Sequence, residues 1–579
     1  MSGANREARD EAPRRRPRGA LWLGWGLAIA TTVAVVVNQR DVGIARDEVV
    51  YMQNGARYAD WWIGLVALRH GVSEASVART FGGPGATDNN REHPPVMKTL
   101  FGLSERLLHR GLGITDELTA FRLPSAMMHG LAVLLVYLMA LELWGLAEAV
   151  VAALLLACLP RALFHAGLAC FDAPTMTLWL ATVYAYWRCL DGRRWPWQVG
   201  VLWGLALGTK HTALLLPFAL AAHYAIVGWR ARDPVDGATR SARALRALGA
   251  VVRHRWRVIV SLAVLGPLTL IALWPWLWFA PVRHIAEWLS FHASHVHYNY
   301  EYLGHNWNAP RFPWHVALVT TLFTVPVATL AAAAIGGGVW IAEGARRDSR
   351  DPRAPALLLA LSAASSIGPF LLGTTPIFGA EKHWMPVLPT ICLAAGVGAV
   401  WAARAAAGFA ARVRPGALDA RAVWRERLAI ALVAGAVVAA GAVETGIAEP
   451  YALTWYNALA GGAPGGADLG MNRQFWGVAA RGLLPRLAAE APSSGTTYVY
   501  THDASPAWPT YQRLGAVPAS LVDAGWEQSG IARSRLAFVV HELHFSRHDY
   551  LIWSAYQTVK PIFVLRSDGV PIVSLYRRP

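Results

Sequence analysis

Apolar runs long enough to cross a bilayer return along most of this chain, joined by connectors that are alternately rich and poor in arginine. Each run, such as 21–37 or 123–143, approaches the roughly 20 residues that one helical span needs. A water-soluble domain has no way to hide so many of them. Of the 579 residues 55% are hydrophobic and 16% charged, which points to a polytopic membrane protein. The formal charge of +16 does not indicate a nucleic-acid partner, because the arginines cluster beside apolar runs, where they set topology and meet anionic membrane lipid. Cys158, Cys170, Cys189 and Cys392 lie in or beside apolar runs with no CxxC spacing. They imply neither a disulfide framework nor a zinc site.

Residues 1–19 carry Arg14, Arg15, Arg16 and Arg18, and the apolar run that follows lacks a small-residue cleavage site. This reads as an uncleaved signal anchor with a cytoplasmic N-terminus. The loop 38–120 then falls on the outer face, where Tyr51, Tyr58, Trp61 and Trp62 suit an interfacial helix with aromatic anchors. Spans are expected at 123–143, 149–168 and 173–190. The run 199–227 is too long for one span and is broken by Gly208-Thr209-Lys210-His211, which predicts two short spans with Lys210 near an outer turn. Residues 229–257 hold eight arginines and belong inside. Further spans at 258–279, 314–335, 356–372, 384–401 and 428–443 make about eleven, with a second outer loop at 280–313. Beyond residue 446 the pattern changes. Short β-type runs at 497–500, 536–540, 562–566 and 571–576 and helical runs at 508–514 and 550–558 predict a small α/β domain. The expected fold is therefore a polytopic α-helical membrane domain, 20–446, followed by an extracytoplasmic α/β domain, 447–579.

The loop 46–98 carries the chemistry. It opens on Asp47-Glu48 and closes on Glu92-His93-Pro94-Pro95 with Lys98. Two carboxylates after one span and a carboxylate, an imidazole and an ammonium before the next suit a lipid headgroup at the membrane surface. A polyprenyl-phosphate sugar has the matching parts, an apolar tail, a phosphate and a pyranose. Transfer from it needs a base for the acceptor hydroxyl and cations for the departing phosphate, and it needs no strong acid. Lysine usage points the same way. Only Lys98, Lys210, Lys382 and Lys560 occur among 53 basic residues, and three of them fall at expected outer membrane edges, where a compact ammonium is preferred.

The motifs Asp47-Glu48, Glu92-His93-Pro94-Pro95 with Lys98, Phe121-Arg122-Leu123-Pro124, Phe171-Asp172-Ala173-Pro174, Gly208-Thr209-Lys210 and Lys382-His383-Trp384-Met385-Pro386 occur in the order seen in GT-C glycosyltransferases. Over about 46–389 the chain resembles their protein O-mannosyltransferase and aminoarabinose transferase branch. The segment from Tyr456-Asn457 to Trp476-Gly477 also resembles the region after the last span in bacterial members. The resemblance implies a plasma-membrane enzyme with its site facing outside, a polyprenyl-phosphate sugar donor and a protein or glycolipid acceptor. It implies Asp47 as catalytic base with Glu48 beside it, and His93, Lys98, Lys210 and Lys382 around the donor phosphate. Asp172 and His383 join the site, and Glu92 matches a position that binds a metal (Mg or Mn) or orients the donor. One departure is Val50, where aminoarabinose transferases have arginine; it favours a mannosyltransferase-like enzyme or another sugar.

Plainer readings stand beside these. Asp47-Glu48 alone reads as a solvated acidic pair, and Asp172 as a helix N-cap. His292, His295 and His297 have a spacing that could gather a metal, but among Trp288, Phe291, Tyr298 and Tyr300 they are expected to decorate an interfacial helix. A polyprenyl-linked oligosaccharide ligase or polymerase shares the donor class. A transporter would place its ionisable groups at mid-membrane in broken helices, whereas these acids fall in outer loops.

Overall fold

The computed structural model of the chain describes residues 19–82, 90–190, 195–230, 256–346, 353–413, 419–544 and 546–579. The Arg-rich N-terminus 1–18 and most of the cytoplasmic segment expected at 229–257 lie outside these residues. Among the described residues six helices are long and apolar enough to cross a membrane: Ala20–Asn38, Glu117–Leu143, Trp256–Leu273, Val327–Gly344, Met385–Arg412 and Val423–Ala448. A seventh span arises if Leu146–Ala157 and Pro160–Ala166, bent by 67°, count as one. The chain is a multi-pass membrane protein, but these helices do not confirm the expected count of eleven. Two of the apolar runs are divided. The run expected at 314–335 divides into Val316–Thr324 and Val327–Arg346 at Val325-Pro326, where proline removes a helix donor. The run 199–227 breaks into Trp197–Leu207 and a helix starting at Leu216, on either side of Gly208-Thr209-Lys210.

The loop between the first two spans is mostly helical, with Arg46–Val66, Glu74–Phe81 and Val96–Glu105. The first and third of these cross at glycines. A Cβ on Gly102 would lie 1.9 Å from the Gly55 carbonyl oxygen, so only glycine lets the two backbones approach this far. This crossing sets Asp47 and His93 on one side of the bundle. Tyr58 and Trp61 are not interfacial anchors as expected. They are buried with Trp274, Trp276 and Trp288 in an apolar cluster, and the Trp61 indole N–H donates to Ser76 Oγ at 3.0 Å.

In the segment 280–313 the helix Pro281–Ala293 leads into a hairpin of β1, Tyr300–Tyr302, and β2, His305–Trp307. The C-terminal domain is a five-stranded sheet of β3 (Thr497–Tyr500), β4 (Leu521–Asp523), β5 (Leu536–Val540), β6 (Phe563–Ser567) and β7 (Val570–Arg577) in the order β4-β3-β5-β7-β6. The strands β4, β3 and β5 run parallel; β7 lies antiparallel between β5 and β6. Every residue of β5 is buried, as expected of a central strand read as an unbroken apolar run. The strand β4 was not anticipated, since Leu-Val-Asp is too short to show a period.

The domain packs against the start of the helix Arg46–Val66. Gly43 N–H donates to the Val478 carbonyl at 3.1 Å, and Arg46 N–H to the Trp476 carbonyl at 3.0 Å. The Ile44 N–H donates to Tyr511 Oη at 2.7 Å.

Candidate active site

A cavity of about 270 Å³ is lined by Asp47, His93, Asp172, Lys210, Lys382 and His383, together with His211, His292, His295 and Trp476. Six of the residues picked from sequence therefore meet, although they come from five separate segments. Aromatic and proline side chains, among them Trp179, Phe370 and Pro376, form the apolar part of the wall. Such a lining with a few convergent polar groups is typical of ligand sites.

Asp47 is the second residue of its helix, so the N-terminal peptide dipoles favour its negative charge. Its Oδ2 accepts the Trp476 indole N–H at 2.8 Å and lies 3.8 Å from Lys382 Nζ. The Asp47 side chain keeps 38% of its surface open, against 5% for Lys382. It is more open than Lys382, Lys210 or Asp172. Lys382 stands on the turn Ala380–His383 with its ammonium 3.9 Å from the centre of the Trp476 ring. Burial lowers the Lys382 pKa, partly opposed by the charges of Asp47 and Asp172. Opposite, Lys210 Nζ donates to Asp172 Oδ1 at 2.7 Å in a buried ion pair.

Burial disfavours the charged form of His93, His383 and His292. Burial first, then nearby Lys98, His292, Lys210 and Lys382, pushes His93 well below its ordinary pKa. Burial does the same to His383, again with Lys210 and Lys382 adding, and holds His292 at about 4. The His93 Nδ1 is buried without a hydrogen-bond partner among the described residues. The arrangement thus offers His93 as a hydrogen-bonding group and Lys382 as a charge. His383 Nε2 lies 2.6 Å from the Phe378 carbonyl and 3.3 Å from the Phe378 N–H, so the ring is held against the Phe378 backbone.

Three expected site residues lie elsewhere. Glu48 is fully buried and faces away from the cavity. Its carboxylate takes two hydrogen bonds from Arg122, at 2.7 and 2.8 Å, and the N–H groups of Ala45 and Ala169 at 3.1 and 2.8 Å. Four donors leave it no capacity for catalysis, and it fixes the entry of the helix Arg46–Val66. Glu48→Ala strands the Arg122 guanidinium in the interior and is expected to cost about 3–5 kcal/mol of stability, read as a lower unfolding midpoint in detergent. Lys98 is likewise buried, its Nζ donating to the Asn90 carbonyl at 2.7 Å, so it shapes the returning loop and does not line the cavity. Glu92 turns its side chain to Asn90 Nδ2 at 3.0 Å, and its carbonyl accepts the Trp288 indole N–H at 2.9 Å. Among the described residues no three His, Cys, Asp or Glu gather as a metal site requires.

Several lining residues were missed or read differently. His292 and His295 line the cavity where an interfacial role was expected, with the His211 and His292 rings stacked at 3.6 Å. Glu381 is held by Arg161 at 2.8 Å and lies 3.4 Å from His165, while Arg161 also donates to the Leu453 and Trp455 carbonyls. This buried group anchors the turn that carries Lys382. An arginine and a histidine inside the apolar run 149–168 were the available signal.

On its outer side Arg46, next to Asp47, contacts Asp503 and, at 3.6 Å, Glu542 of the C-terminal domain. Burial would raise Asp503, but the hydrogen bond and charge of His502, with Arg46, hold it at about 2. Burial pushes Glu542 up to about 7, against the opposing charge of Arg46. Above its unfolded value of 4.5, an acid with a raised folded pKa binds more protons folded than unfolded, so its contribution to stability falls as pH rises towards about 7. The unfolding midpoint is expected to fall across that window, and Glu542→Gln to flatten the fall. Unchanged pH dependence in that variant would remove Glu542 from the linkage.

Residues 92–236 match the sequence profile of the family described as dolichyl-phosphate-mannose-protein mannosyltransferase. Comparison with curated protein sequences gives no significant match. Among solved structures, ArnT from Cupriavidus metallidurans bound to undecaprenyl phosphate is 16% identical, with 96% of this chain and 98% of that chain covered and a TM-score of 0.49. The archaeal oligosaccharyltransferase AglB from Archaeoglobus fulgidus is 11% identical, with coverages of 96% and 74% and a TM-score of 0.46. The arabinosyltransferase EmbB from Mycobacterium smegmatis is 17% identical, with coverages of 75% and 43% and a TM-score of 0.39. These similarities are distant. The matched segment 92–236 contains His93, Asp172 and Lys210 of the cavity, and through it the chain is similar to a glycosyltransferase family of GT-C type.

Proposed function

We propose that this protein is an integral membrane glycosyltransferase that moves a sugar from a polyprenyl-phosphate donor to a hydroxyl of a protein or glycolipid acceptor, at the outer face of the cytoplasmic membrane. The observation that carries the reading is an open carboxylate, Asp47, 3.8 Å from a buried ammonium, Lys382, in a cavity with apolar walls. Asp47 takes the acceptor proton as the acceptor oxygen bonds to the anomeric carbon. The bond from that carbon to the phosphate oxygen breaks, its electron pair leaves with the phosphate, and Lys382 receives the growing charge. Lys210 lies behind it, already matched to Asp172, and lends less. A single displacement of this kind inverts the anomeric configuration. The arginine-rich connectors support the outer placement through the positive-inside rule.

The test offers purified full-length protein several labelled polyprenyl-phosphate monosaccharides with mixed protein and glycolipid acceptors. Transfer of label with release of polyprenyl phosphate is the expected result. Donors that remain intact, or cross the membrane uncleaved, would contradict an enzyme and favour a transporter.

A further inference from the structure

The indole of Trp476 touches both charges of the cavity. Its Nε1–H donates to Asp47 Oδ2 at 2.8 Å, while its ring face carries the Lys382 ammonium at 3.9 Å from the centre. Asp47 and Lys382 themselves stay 3.8 Å apart, longer than a charge-assisted hydrogen bond. The backbone is held to serve this. Trp476 has φ of +73°, a conformation that is uncommon for a bulky residue and persists only where the surroundings enforce it. Here the Arg46 N–H binds the Trp476 carbonyl, and the Gly43 N–H binds the Val478 carbonyl. A Cβ at Gly43 would lie 2.0 Å from that Val478 oxygen, so the approach requires glycine. The side chain is 4% exposed, with the Phe475 and His165 rings packed against it.

Opposite charges this close attract one another, more strongly where one of them is buried as Lys382 is, and nothing but their other partners keeps them from direct contact. A collapsed Asp47–Lys382 pair would use the acid's lone pairs and the ammonium's protons on each other. We propose that Trp476 is a positioning residue that keeps Asp47 and Lys382 apart, its N–H holding the carboxylate and its ring face holding the ammonium, so that one stays free for the acceptor and the other for the donor phosphate. The assignment rests on the reading of these two residues given above. It also gives the segment after the last span a direct part in the site.

The experiment measures the affinity for polyprenyl phosphate and the transfer rate in full-length wild type, W476F, W476A, D47N and W476A/D47N. In W476A, Lys382 closes on Asp47, and affinity is expected to weaken about tenfold or more, the effect of a lost hydrogen bond to a charged group. Removing the acid's charge in W476A/D47N frees Lys382 again, and affinity should return to within about threefold of D47N. Lost packing would give no such rescue. W476F keeps the ring face and loses the donor, so affinity should stay near wild type while turnover falls about tenfold. Wild-type affinity in W476A, or equally weak binding in W476A and W476A/D47N, overturns the positioning role. W476F turnover at the wild-type level removes the N–H from it. A wild-type protein that does not bind polyprenyl phosphate overturns the functional reading, and the positioning role with it.

Discussion

Asp47→Asn is expected to lower the transfer rate by about 10² to 10⁴, the loss typical of a missing general base, while expression, folding and donor affinity survive. The substitution keeps the size of the side chain and an oxygen for the Trp476 indole. It removes the capacity to accept a proton from the acceptor hydroxyl. The structure makes the separation of effects sharper than sequence alone did. Glu48, the adjacent acid, already answers Arg122 and two backbone N–H groups, so it cannot stand in for the missing base. The loss should appear in kcat, with little change in the concentration of donor needed. Near-normal turnover in a folded Asp47→Asn protein would remove Asp47 from the chemistry.

Lys382→Met should weaken binding of polyprenyl phosphate by about 10-fold to 150-fold, the range that corresponds to a hydrogen bond with a charged group. Methionine approximates the length and apolar stem of lysine and can lie against Trp476 and Phe378, so packing is largely kept. What is lost is the ammonium that meets the phosphate where water is scarce. His93→Ala should cost less, since burial keeps that ring neutral and it contributes a hydrogen bond, not a charge. Titration of both variants with polyprenyl phosphate in detergent checks the order. A stronger effect from His93 than from Lys382 would reverse the assignment of the cation.

The site was legible where its residues stand in loops beside apolar runs, because a carboxylate or lysine at that edge has no structural need to be there. Asp47, His93, Lys210 and Lys382 were found in this way and meet in one cavity. The same logic misplaced Glu48 and Lys98, which also stand at loop edges but spend their charges on Arg122 and the Asn90 carbonyl. Sequence shows which residues are polar, and only the fold shows which already have partners. Trp476 was out of reach for another reason. It bonds to Asp47 across 429 positions of chain; the segment ending in Trp476-Gly477 stood out by its resemblance, which did not say what Trp476 would touch. Arg161 and His165 did carry one, an ionisable pair within an apolar run. The break at Gly208-Thr209-Lys210 was legible from its glycine and polar residues, whereas the division at Val325-Pro326 was not placed, because hydropathy counts apolar residues without seeing where proline turns the backbone. The C-terminal strands were legible except β4, and the sheet order was not, because parallel neighbours are distant in the chain.

The most direct test of the mechanism is the anomeric configuration of the product. Proton–proton and proton–carbon couplings at the anomeric centre, measured by NMR on product formed from a donor of known configuration, report it without reference to rate. A single displacement with Asp47 as base predicts complete inversion in the wild-type product and in the residual product of Asp47→Asn. A product with retained configuration would contradict it, because retention requires a second displacement and a covalent partner for the sugar.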